Sequence, residues 1–174
     1  MGRQAEADFL GWVTTSRAGL RKTACLLCGD WFLADDLVQD ALTRLYVVWG
    51  RVSSSGDPGP YARKILMNLY LDHRRRPGRR EVPVAQVPDT LGVDQHNWVD
   101  GDRDRLMTAL ARVPKGQRAV LVLRYWDDLS TEQAAHALGT SASNVRSQAS
   151  RGLEALRAAF EPEPDPSNSP EEAL

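Results

Sequence analysis

Residues 131–151 read TEQAAHALGTSASNVRSQASR, and the fold turns on this stretch. Ser130 and Gln133 form the Ser-x-x-Gln pattern that starts a helix, and Ala134, Ala135 and Leu138 continue it. Gly139 breaks the helix. Ser141 is placed to cap a second, longer one with Val145, Leu153, Leu156 and Phe160 on one face. Ala135 is small where two helices must cross closely. Gly139, four positions on, tolerates the left-handed backbone that a sharp turn needs. Val145, six positions further, plugs the crossing. That spacing is the helix-turn-helix pattern. The second helix then presents Ser143, Asn144, Arg146, Ser147, Gln148, Ser150 and Arg151 away from its apolar stripe. Such side chains suit phosphate oxygens and base edges, Arg to guanine and Asn or Gln to adenine. The competing interpretation is an ordinary helical hairpin with a solvated polar face.

Working outward, Pro114 opens a helix through Val120, Leu121 and Tyr125, and Leu106, Leu110 and Val113 mark a short one before it. Residues 103–160 therefore read as one helical unit. Residues 77–102 hold Pro77, Pro83 and Pro88, five acids and no sustained period, the composition of a linker. A structureless stretch of that length inside one domain is unusual, which favours two domains.

Upstream, Leu10, Val13, Leu20, Ala24 and Leu27 fit a helical period over Phe9–Cys28. Asp35 is a good N-cap for a second helix running to Trp49, with Leu37, Val38, Ala41, Leu42, Leu45, Tyr46 and Trp49 inward. A breaker-rich loop, Gly50–Gly59, follows. Pro60 suits the first turn of a third helix continuing to about Arg76. The tail, residues 161–174, has four prolines and five acids, which predicts disorder. No strand pattern is present.

The chain of 174 residues carries a net charge of −1, which hides a strong pattern. Residues 1–76 hold 11 Lys/Arg against 8 Asp/Glu, and residues 103–160 hold 9 against 5. Residues 77–102 hold 2 against 5, and residues 161–174 none against 5. Two basic blocks thus alternate with two acidic segments, and local sign decides what a polyanion meets. No run is apolar and long enough to span a bilayer, and Met1–Asp8 lacks a signal-peptide pattern, so the expectation is cytoplasmic with no membrane contact. No nucleophile–base set or phosphate-cradling glycine loop is visible, which argues against an enzyme.

Three further constellations bear on function. Tyr61–Arg76 combines a core face at Ile65, Leu66 and Leu69 with a basic surface of Arg63, Lys64, Asn68, His73, Arg74, Arg75 and Arg76. Tyr61, Tyr70 and Trp49 offer stacking surfaces for single-stranded bases. Alone, this pattern is more often a solvated basic helix end, where cations also favour the C-terminal dipole. Asp35–Asp40 followed by Arg44 is an acidic patch at the start of an otherwise apolar helix, and by itself it reads as a well-capped helix N-terminus. Cys25 and Cys28 are spaced for zinc or thiol exchange, but His73, His96 and His136 supply no paired ligands, so both read as helix interior, with no metal and no cofactor.

In order and spacing, GDWFLADDLVQDALTRLYVVW, PYARKILMNLYLDHRRR and VPKGQRAVLVLRYWDDLSTEQAAHALGTSASNVRSQASRGLEALR together resemble the extracytoplasmic-function (ECF) sigma factors. These are the small two-domain class of the sigma-70 family, and the likeness is to the actinobacterial SigE-like group. It covers residues 5–76 and 103–160. It implies an all-α fold of two small helical domains joined by a flexible linker. Residues 5–76 would be a region 2-like bundle that binds core RNA polymerase and melts the −10 element. Residues 103–160 would be a region 4-like helix-turn-helix on the −35 element. Residues 77–102 would thread through the polymerase, and the tail 161–174 is an addition.

By the same resemblance Asp36, Gln39, Asp40 and Arg44 dock on the clamp of the β′ subunit, with the β flap as a second polymerase contact. Arg63, Lys64, Asn68, Arg74, Arg75 and Arg76 face the −10 strand, beside a Ser53–Pro60 loop that cradles a flipped base. Ser141, Ser143, Asn144, Arg146, Ser147, Gln148 and Arg151 meet the −35 duplex, with Gln148 standing where many members carry Arg or Lys. The implied partners are core RNA polymerase, promoter DNA and an anti-sigma factor or other inhibitor. The alternative is a stand-alone helix-turn-helix regulator whose residues 1–76 sense or dimerise.

Overall fold

Gly29 and Asp30 separate the first two helices, and each does so by a different means. Gly29 takes the left-handed conformation, φ 72°, and its N–H returns to the Cys25 carbonyl, which closes the first helix. Asp30 is extended, and its carboxylate accepts from the N–H groups of Phe32 and Leu33, which opens the second. The computed structural model describes residues 2–73 and 101–160. It has α1 (Arg3–Cys28), α2 (Trp31–Ser53) and α3 (Gly59–Asp72), then α4 (Asp102–Arg112) and α5 (Lys115–Leu121). A π-helical turn, Val122–Trp126, continues α5 and precedes α6 (Thr131–Leu138) and α7 (Ala142–Phe160). Among the described residues there is no strand.

The N-cap of α2 is therefore Asp30 and not Asp35. Asp35 lies a turn inside the helix, where Arg21 holds it at 2.6 and 2.7 Å. Helix α1 begins six residues before Phe9, and its inward face carries Phe9, Trp12 and Val13, while Leu10 is exposed. Helix α3 stops at Asp72, because His73 leaves helical space at ψ 101°. The expected continuation to Arg76 falls outside the described residues, as do residues 77–100 of the expected 77–102 linker and the tail; the linker's last two residues belong instead to the helical unit, Gly101 capping α4 and Asp102 opening it.

Helices α1, α2 and α3 pack around Leu27, Leu45, Leu66 and Met67, all fully buried. Each such side chain contributes about 1.5–3 kcal/mol relative to leaving it in water. Helix α7 runs over α4, α5 and α6, with Val145 and Val113 sealed between them. The two blocks also pack on each other, α3 on α6 and α1 on α4 and α5. One apolar cluster runs continuously from Ala24 and Leu66 to Leu123 and Val145.

Candidate nucleic-acid interface

The helix-turn-helix forms as its residues dictate. Ser130 accepts from the Gln133 N–H, and the Gln133 amide oxygen accepts from the Ser130 N–H, a reciprocal capping box. Gly139 sits at φ 64° and lets the Thr140 N–H return to the Ala135 carbonyl. Ala135 and Val145 are buried at the crossing. Ser141 caps α7 by accepting from the Asn144 N–H at 3.1 Å. The Asn144 amide donates to the Thr140 hydroxyl, which leaves its carbonyl oxygen facing outward as an acceptor. Ser141, Ser143, Asn144, Arg146, Ser147 and Arg151 are exposed, and Gln148 is half-buried. These residues form one polar, cationic face on a rigid helix.

Helix α3 carries the second set. Asn68 is exposed, while Arg63 and Lys64 are half-buried. Arg74, Arg75 and Arg76 lie outside the described residues. Two of the three expected stacking aromatics are not available. Trp49 is 3% exposed and packs edge-on against Phe9 at 5.2 Å and beside Trp12 at 5.8 Å. Tyr70 is 4% exposed, with the Lys115 ammonium 4.7 Å from its ring centre. Tyr61, at 37% exposed, keeps a free face.

On α2, Asp36, Gln39, Asp40 and Arg44 are all exposed on one side. Phe32 and Val47, at 79% and 80% exposed, bracket this acidic stripe with bare apolar surface. A shallow groove of about 240 Å³ runs beside it, lined by Phe9, Val13, Gln39, Leu42, Thr43 and Tyr46. Charged side chains between exposed apolar anchors are the composition of a protein-docking surface.

A further polar centre has no local sequence signal. Asp127, just after the π-helical turn, has a side chain only 10% exposed. It accepts from the Thr23 hydroxyl at 2.7 Å and lies 3.7 Å from the Arg63 guanidinium. Burial pushes its carboxyl up from the usual value, with the Thr23 hydrogen bond and the Arg63 charge pulling the other way. The cysteines sit nearby in α1. Burial raises the Cys25 thiol to about 12 and the Cys28 thiol to about 11, and the Cys28 thiol donates to the Asp30 carbonyl. Such thiols are poor nucleophiles. Among the described residues no cluster of His, Cys, Asp and Glu is spaced to hold a metal.

A three-helix bundle packed on a helix-turn-helix defines the class: a DNA-binding helix-turn-helix protein with a second helical unit. The comparisons agree with this class. The family profile described as Sigma-70 region 2 matches residues 12–80, and that of Sigma-70, region 4 matches residues 103–156. The RNA polymerase sigma-E factor of Streptomyces avermitilis is 36% identical over 154 residues, 88% of this chain and 86% of the relative. ECF RNA polymerase sigma factor SigL of Mycobacterium tuberculosis is 32% identical over 80% of this chain and 81% of its own.

Among solved structures, the sigma factor RpoE in complex with the anti-sigma factor NepR from Bartonella quintana shares the fold. Its TM-score is 0.69 at 22% identity, over 88% of this chain and 96% of that one. CnrH in complex with the cytosolic domain of CnrY gives 0.65 at 21% identity, over 89% and 91%. The chain belongs to the extracytoplasmic-function group of the sigma-70 family of RNA polymerase sigma factors.

Proposed function

We propose that this sigma factor recruits core RNA polymerase through α2 and reads a promoter with two separate surfaces, without catalysing a reaction itself. The observation that carries this reading is the exposed polar face of α7, held by the built helix-turn-helix. In it, residues 5–76 and 103–160 act as two units joined by the linker 77–102. Ser143, Asn144, Arg146, Ser147 and Arg151 contact a −35 duplex in its major groove. Ser141 holds the helix start and Gln148 flanks the contact. Arg63, Lys64, Asn68 and the run Arg74–Arg76 attract a melted −10 strand, with Tyr61 as the stacking surface. Asp36, Gln39, Asp40 and Arg44, with Phe32 and Val47, meet the polymerase clamp.

Of the two structural relatives, one is in complex with an anti-sigma factor and the other with the cytosolic domain of CnrY. That motivates an inhibitor of this chain acting in the cytoplasm. Among the described residues no helix is long and apolar enough to cross a membrane.

The test is run-off transcription with bacterial core polymerase on a fragmented genomic library, with and without this protein. Discrete new starts that depend on it are expected. Footprints on duplex DNA without polymerase, and no new starts, would instead make it a stand-alone regulator.

A further inference from the structure

Asn144 is tied back to the helix-turn-helix turn by both its backbone and its side chain. Its N–H donates to the Ser141 hydroxyl at 3.1 Å, and its side-chain amide donates to the Thr140 hydroxyl at 2.8 Å. Thr140 is itself held. It follows Gly139, which is left-handed at φ 64°, and its N–H returns to the Ala135 carbonyl at 3.0 Å. Thr140 is half-buried, while Asn144 is exposed. The hydroxyl that receives the Asn144 amide is thus part of the frame of the turn.

The consequence is chemical. An asparagine amide has a donor end and an acceptor end of nearly the same shape, and a half-turn about its last bond exchanges them. Unheld, it shows a base either end. With its nitrogen on Thr140, Asn144 shows the oxygen. Its neighbours on this face behave differently: the hydroxyls of Ser143 and Ser147 rotate to donate or accept, and the guanidinium groups of Arg146 and Arg151 only donate. In a major groove, adenine N6 and cytosine N4 donate, whereas guanine O6 and N7 and thymine O4 accept. Residues at the start of a recognition helix reach base edges, and Asn144 is the third residue of α7.

We propose that Thr140 is a specificity-determining positioning residue, a role that rests on the assignment of α7 to a duplex. Its hydroxyl holds the Asn144 amide with the oxygen outward, so the chain selects adenine or cytosine over guanine or thymine at the base Asn144 meets. Thr140 acts through Asn144 and needs no contact of its own with that base. The net worth of one neutral hydrogen bond biases the two amide orientations by roughly two- to tenfold, which sets the size of the effect.

The test uses holoenzyme assembled from core polymerase and the full chain, on a promoter duplex found by run-off transcription. Each base pair of its −35 element is changed in turn, and competition binding gives the preference at every position. Asn144→Ala first locates the position that Asn144 reads. The parent is expected to favour adenine or cytosine there. Thr140→Val keeps the side-chain shape, removes the hydroxyl and should cut that preference by roughly two- to tenfold. Thr140→Ser keeps the hydroxyl and should retain it. In the Asn144→Ala background, Thr140→Val should change nothing more at that position. Preferences elsewhere and the salt slope should match the parent in every Thr140 variant, a pattern that damage to the turn would not give.

An unchanged preference in Thr140→Val overturns the positioning role, and so does an equal loss in Thr140→Ser. A loss spread over all positions makes Thr140 a structural residue of the turn and overturns it too. A parent preference for guanine or thymine overturns the outward oxygen. If Asn144→Ala moves no position, the assignment of Asn144 to the duplex fails before Thr140 is altered, so the two failures are distinguishable.

Discussion

Gly152 lies in the interior of α7, where helix propensity alone predicts that alanine is better. Replacing an interior glycine by alanine stabilises an exposed helix by roughly 0.5–1 kcal/mol. Here a Cβ would stand 3.1 Å from Leu121 Cγ and 3.3 Å from Leu121 Cδ1 and Gln117 Cβ. Carbon pairs prefer about 3.5–4.0 Å. Leu121 is 4% exposed and belongs to the packed side of α5, so it has little room to retreat. Overpacking of a well-filled site costs about 1–3 kcal/mol. The difference is a net loss of about 1 kcal/mol for Gly152→Ala, which lowers Tm by roughly 2–4 °C in a chain of this size.

Gly19→Ala is the control. Its Cβ meets nothing within 4 Å, and it lies on the exposed side of α1, so it should raise Tm. Urea and thermal unfolding of the parent, both single variants and the pair Leu121→Ala/Gly152→Ala would decide. In the pair the clash is gone, so the two losses should fall short of additive by roughly 0.5–2 kcal/mol. If Gly152→Ala stabilises as much as Gly19→Ala, the close approach of α5 and α7 is not what requires glycine, and the reasoning fails.

Four other outcomes are expected. Asp30→Ala should cost about 0.5–2 kcal/mol, because two backbone N–H groups lose their acceptor. Asp35→Ala, breaking a pair whose carboxylate is 37% exposed, should cost less than about 1 kcal/mol; urea midpoints reversing that order would contradict the cap assignment. Asp127 is raised by burial above its ordinary 3.8, so the folded chain binds more protons than the unfolded one just above that pH. Its contribution is full below pH 3.8 and falls as pH rises through the folded value, and the difference in urea midpoint between parent and Asp127→Asn should show that slope. With its thiol pushed up to about 12 and its side chain buried, Cys25 should react with a thiol reagent at pH 8 at the rate of unfolding rather than of free cysteine, and the half-buried Cys28 should label first; fast labelling of Cys25 in the native protein would contradict its burial. Arg146→Ala should weaken duplex binding and reduce the salt slope by about 1 if Arg146 neutralises one phosphate, as titration from low to moderate salt would read.

The helix-turn-helix was legible because each of its signals is local. A capping box, a left-handed glycine and a plugging valine lie within sixteen residues, Ser130–Val145, and none waits on a distant partner. The start of α2 was less so, since Asp30 and Asp35 both satisfy the preference for an acidic N-cap. Gly29 decides between them by ending α1 so abruptly that the next residue must be extended. The π-helical turn shifts the register at Val122, with the Asp127 N–H returning five residues to the Val122 carbonyl, so Tyr125 turns outward at 60% exposed against a simple helical period.

The aromatics show where local reading stops. Trp49 and Tyr61 flank the same loop, and residue type alone suits either to stack on a base. Phe9 and Trp12, some forty residues upstream in α1, claim Trp49 for the core, while nothing comparable covers Tyr61. Thr23 and Asp127 are 104 residues apart, one inside α1 and the other just after the π-helical turn, and each alone is an unremarkable polar residue. Only the packing of α1 and α3 against α5 and α6 makes them a pair. A contact that holds two units together while each unit's own pattern is complete leaves no periodicity to find, so variants across that contact, rather than further reading of either half, identify it.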